Sequence, residues 1–228
     1  MHFLSLLVSL TLTQGTVLKK RVLENVVNTF VGEFPKDIYK AEFSFILVLP
    51  ASECVGDRPP EILATVNSGH RSRSMRKGPT FSDTTADFLD PSNHMALYPE
   101  LDGSCPEEYL LNNPTRSWFS AQKGVSSRLP DDSSGCVVFF TRHAPCEGSC
   151  LNSHVIELLA DTPFSDHWTE SHGIHKYFVF TSEFGEGRDG RCSGRSLLPQ
   201  LTASAGETTS PFSPWNCTRT GKEYKCED

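Results

Sequence analysis

The chain has 228 residues, with 21 Lys and Arg against 28 Asp and Glu, a formal net charge of −7. A net negative surface repels phosphate, which excludes capture of long nucleic acid by the surface as a whole and leaves only the local basic run His70, Arg71, Arg73, Arg76 and Lys77 for such contacts. A hydrophobic fraction of 37% is ordinary for a globular chain, and a length near 200 residues suits one domain with insertions.

Residues 1–15, MHFLSLLVSLTLTQG, carry no charged side chain and hold an apolar run from Phe3 to Leu12. A membrane span needs about 20 apolar residues, so this segment reads as a cleaved signal peptide and the protein as secreted. Val22, Val26, Val27 and Phe30 then recur at helical spacing between Lys19 and Phe34. Ala41 to Leu49 is a strand stopped by Pro50, and residues 51–93 form a long loop insertion with one short strand at Ile62–Val66.

Met95 to Tyr98 reads as an edge strand. A helix follows from Cys105 or Pro106 to about Asn112, started by Pro106, Glu107 and Glu108. Trp118 and Phe119 are expected on the core, and 123–135 is polar loop. Cys136 to Thr141 is a buried strand; Leu151, Val155, Ile156, Leu158 and Leu159 share a helical face as far as Ala160; Lys176 to Phe184 is a central strand. The expected organisation is a domain over 16–187 and a tail over 188–228, irregular and stapled through Cys192, Cys217 and Cys226. The alternation of helix and strand predicts an α/β sandwich with helices on a mixed sheet.

Eight cysteines in an oxidising compartment make disulfides the first expectation. Three of them stand in a pattern that points to metal chemistry. Cys105-Pro106-Glu107 opens one helix, and Pro145-Cys146-Glu147-Gly148-Ser149-Cys150 opens another directly after an apolar strand. Positive helix ends favour thiolates, and Cys146 and Cys150, four apart, share a helix face. Three thiolates leave the fourth tetrahedral position of Zn2+ open, the mark of a catalytic site, and Glu107 is placed to carry protons. Disulfides among the three cysteines are the alternative. Removing them leaves Cys54, Cys136, Cys192, Cys217 and Cys226, an odd set in which Cys136 is the candidate free thiol.

This arrangement resembles the zinc nucleobase deaminases, whose signature is His (or Cys)-x-Glu followed by Pro-Cys-x-x-Cys. With the leader it is similar to the secreted AID/APOBEC-like deaminases, over roughly Val22 to Phe184. The resemblance implies a cytidine-deaminase-like sandwich of about five strands flanked by helices, bound zinc, and hydrolysis of a cytosine-type base in a nucleoside or single-stranded nucleic acid. Cys105 stands where nucleic-acid enzymes of the superfamily carry His, and three residues separate Cys146 from Cys150 rather than two.

The same resemblance assigns substrate contacts to Asn93, to His143 and the backbone carbonyl of Ala144, and to Phe184 as a stacking ring. A turn cap, a strand end and core packing are their respective alternatives. His167, His172 and His175 read as surface loop. Gly185 to Gly190 matches GxGxxG without the helix a dinucleotide site needs. Asn216-Cys217-Thr218 is a glycosylation sequon that a disulfide at Cys217 would hinder. Two rival readings stay open: a non-catalytic secreted binding module on the same scaffold with structural zinc, and a cysteine hydrolase using Cys105 or Cys146.

Overall fold

A computed structural model of the chain describes residues 17–33, 43–60, 95–99, 106–111, 134–142, 153–161, 164–166, 168–181, 198–202 and 212–228. In chain order these form α1 (Lys20–Glu33), β1 (Phe43–Pro50), α2 (Ala51–Cys54), β2 (Met95–Pro99), α3 (Pro106–Leu110), β3 (Gly135–Thr141), α4 (Ser153–Leu159), a 3-10 turn (Glu170–His172), β4 (Ile174–Thr181), α5 (Leu198–Thr202), β5 (Ser213–Thr220) and β6 (Glu223–Glu227).

One mixed sheet runs in the order β2-β1-β3-β4-β5-β6. β1 is antiparallel to both β2 and β3, the β3-β4 and β4-β5 pairs are parallel, and β6 returns antiparallel to β5. Parallel neighbours require crossovers, and α4 and α5 lie in the connections that supply them. Successive strand residues face opposite sides. Phe45, Leu47, Leu49, Cys136, Val138, Phe140, Tyr177 and Val179 therefore meet Val22, Leu23, Val26 and Val27 of α1 on one side. Ile46, Val48, Val137, Phe139, Phe178 and Phe180 form the second core, with Leu110 of α3, Val155 and Leu159 of α4, and Leu201 of α5. Both faces of the central strands are buried, which is why β1, β3 and β4 read as nearly unbroken apolar runs.

Gly173 carries the turn into β4. Its φ is 70°, and a Cβ there would stand 2.9 Å from the Cβ of Ser134, so both conformation and space require glycine.

The expected mixed sheet flanked by helices is present, with six strands among the described residues. Two expectations are corrected. The tail is not irregular over 213–227: β5 pairs with β4, and the two-residue turn at Gly221 and Lys222 leads into β6. The expected staple is present there, Cys217–Cys226, across directly opposed strand positions. Cys136 is no free thiol, because it is bonded to Cys54. Pro50 pairs with Gly135, so α2, leaving the end of β1, lies against the first turns of β3 and brings Cys54 to Cys136. That bond also anchors the first residues of the 51–93 segment to the core; the short strand expected at 62–66 lies outside the described residues.

Candidate active site

Ser44 near the start of β1 and Thr141 at the end of β3 are direct cross-strand partners. Both lie on the face covered by α3, since they fall two residues along from Ile46 on one strand and from Phe139 on the other and so share their side of the sheet. Above this row stands Glu107, in the first turn of α3, 1% exposed. Its Oε1 accepts hydrogen bonds from Ser44 Oγ at 2.7 Å and from Thr141 Oγ1 at 2.5 Å. Ser44 and Thr141 are themselves 0% exposed. A carboxylate taken this far from water needs such donors, because desolvation without hydrogen bonds penalises the charged form heavily.

The surrounding elements converge on the same end of the sheet. Arg142, which continues β3, is buried, and its carbonyl accepts from Thr181 Oγ1 at 2.9 Å, tying together the carboxyl ends of the parallel strands β3 and β4. α3 packs beside α4, and Glu108 Oε1 meets His154 Nε2 at 3.8 Å near the first turns of the two helices. Carboxyl ends of parallel strands are where open α/β sheets gather ligands.

Of the residues assigned a catalytic, metal, substrate or glycosylation role from sequence, Glu107 and Asn216 are described. Cys105, Cys146 and Cys150 lie outside the described residues, as do Asn93, His143, Ala144, Phe184, Cys192, the 70–77 basic run, Trp118, Phe119, His167 and the 185–190 glycine motif. Asn216 sits half-buried within β5 between β4 and β6, its Oδ1 without a hydrogen-bond partner among the described residues, next to the bonded Cys217.

His172 and His175 take separate partners, Thr169 Oγ1 at 2.9 Å and Glu170 Oε1 at 3.7 Å, and His175 belongs to β4 rather than to a loop. Among the described residues no group of three or more His, Cys, Asp or Glu could hold a metal ion.

Ser44 and Thr141 escaped the sequence reading. The signal that could have found them is a single hydroxyl within FSFILVLP and another closing GCVVFFT, each at a position that apolar packing alone would fill with Val or Ala. A comparison with family models, with curated proteins and with solved structures finds no match.

Proposed function

We propose that the protein is a secreted zinc-dependent hydrolase that deaminates a cytosine-type base in a nucleoside or single-stranded nucleic acid, on a cytidine-deaminase-like scaffold. The observation that carries the reading is the bond from Thr141 to Glu107, which joins the segment bearing Cys105 to the strand that leads into Cys146. At about 3.6 Å per residue, connectivity alone keeps Cys105 within about 7 Å of Glu107 and Cys146 within about 18 Å of Thr141. The packing of α3 against α4 favours the same meeting of the two motifs.

Cys105, Cys146 and Cys150 would hold the zinc, and the donor set fits: three thiolates suit Zn2+ and leave one position open beside a buried carboxylate. Held by those thiolates, zinc would make water a nucleophile at neutral pH by lowering its pKa to about 7. Glu107 then takes the proton of the attacking water, hands it to the ring nitrogen beside the attacked carbon, and passes the second proton to the departing amine. One water is consumed and one ammonia released. Deep burial serves this work, because a water-poor surround strengthens every polar contact with the reacting ring.

Two disulfides, and no described helix long and apolar enough to cross a membrane, are compatible with the secreted reading. The test pairs zinc content by mass spectrometry with ammonia release from cytidine, deoxycytidine and single-stranded oligonucleotides. Glu107→Gln is expected to keep zinc and lose about 10²- to 10⁴-fold in rate. Wild-type protein that carries zinc and yields no product overturns the proposal.

One observation favours the rival binding module with structural zinc. Glu107 is almost wholly enclosed, as the anchor of a structural hydrogen-bond network would be. On that reading Glu107→Gln leaves ligand binding intact and no substrate is turned over by either protein.

A further inference from the structure

We infer that Ser44 and Thr141 are positioning residues that aim the Glu107 carboxylate, an assignment that rests on the deaminase reading and adds two side chains to its machinery. Neither hydroxyl is required by the strands that carry it. β1 and β3 bury an otherwise apolar face at these positions, where Ala or Val would pack as well and expose no polar atom. Both hydroxyls donate to the same carboxylate oxygen, Oε1.

The spacing of the two donors is set by the sheet rather than by flexible side chains, because Ser44 and Thr141 are paired rungs of the β1-β3 ladder. Two donors converging on Oε1 restrict rotation of the carboxylate about its last bond and so set the direction of Oε2, the oxygen that on this reading would serve the reacting ring. Acid–base groups lose rate steeply when misaimed, and hydrogen bonds from rigid elements hold such alignment. Ser44 and Thr141 act through Glu107 and need touch no substrate themselves.

Two kinds of variant separate aim from charge. Glu107→Gln keeps an Oε1 acceptor for both hydroxyls and removes the carboxylate, whereas Thr141→Val keeps the carboxylate and removes one donor at nearly constant shape. Thr141→Val is expected to lower kcat about 10- to 100-fold, the worth of one hydrogen bond to a charged group. KM and zinc content stay as in the wild type, and Thr141→Ser recovers most of the lost turnover. Ser44→Ala removes the other donor and is expected to give the same split between kcat and KM, which keeps the test open should the Val variant fold poorly.

Folded, zinc-loaded Thr141→Val or Ser44→Ala with wild-type kcat overturns the assignment. So does an equal loss in Thr141→Ser and Thr141→Val, which would make the effect one of packing. Absence of turnover in the wild type sinks the deaminase reading and this role with it, an outcome distinct from an active wild type with indifferent variants.

Discussion

The side-chain amide of Asn28 on α1 bonds both backbone groups of Tyr224 on β6, 196 residues away: Nδ2 donates to the carbonyl at 3.1 Å and Oδ1 accepts from the N–H at 2.6 Å. One turn earlier Glu24 Oε1 accepts from the N–H of Cys226 at 3.2 Å. The two helix residues, four apart, thus meet alternate residues on one side of an edge strand. An unpaired strand edge is a template for association, and here a helix face occupies it. Asn28→Ala is expected to cost about 1 to 3 kcal/mol, because two half-buried backbone groups lose their partner. Urea unfolding reads the loss, and light scattering is expected to show more self-association than in the wild type. Unchanged stability would mean that water replaces Asn28 at no cost.

The two described disulfides close loops of very different length. Cys54 and Cys136 are 82 residues apart, Cys217 and Cys226 only 9. In the chain-entropy account the first restricts the unfolded chain by about 4.5 kcal/mol and the second by about 2.5. Replacing Cys54 and Cys136 together by Ala is therefore expected to lower the unfolding free energy more than replacing Cys217 and Cys226. The opposite order in urea unfolding would show that the closed β5-β6 hairpin matters more to the fold than the long loop.

Lys176 predicts a pH dependence. The residue is 3% exposed on the apolar face of β4, and its ammonium donates to the Phe164 carbonyl at 2.6 Å and lies 5.2 Å from the centre of the Phe212 ring. Burial lowers it from 10.5 to about 8, with the Glu170 carboxylate pulling the other way. Below pH 8 the side chain is charged in both folded and unfolded chains. Between about 8 and 10.5 the unfolded chain holds a proton that the folded one has released, so stability rises with pH over that window. Tyr177, raised above 10 chiefly by burial, opposes this at the upper end, since there the folded chain is the one that keeps a proton. Urea unfolding from pH 8 to 10 is expected to show a gain on the order of 1 to 3 kcal/mol that Lys176→Met abolishes. A gain that persists in the variant would assign it to another group.

Much of the architecture was legible in local pattern. Val22, Val26 and Val27 at helical spacing marked α1, and the unbroken apolar run 136–141 marked a strand covered on both faces, as β3 is. β5 was not legible. SPWNCTRT has no apolar alternation, and it is a strand because β4 offers it a parallel partner across a connection of about thirty residues. β6 left a trace in the alternation of Tyr224 and Cys226 with charged neighbours, a trace hidden by the short run and by the cysteines, which suggested stapled loops.

The candidate site divides in the same way. Glu107 could be picked out because Cys-Pro-Glu at a helix start is a local pattern. Its two donors could not, because Ser44 and Thr141 are 97 positions apart in the chain and become neighbours only when β1 pairs with β3.

Amino-acid order alone determined that α1 and α4 are helical, that β1, β3 and β4 are extended, and which cysteines and carboxylate match a zinc-and-acid spacing, because each of these depends on neighbours a few residues apart. Tertiary structure alone decided that Cys54 bonds Cys136, that the tail completes the sheet, and that two buried hydroxyls hold Glu107. Those outcomes depend on strand order and register, which arise from long-range burial and backbone pairing and are not set within any single segment.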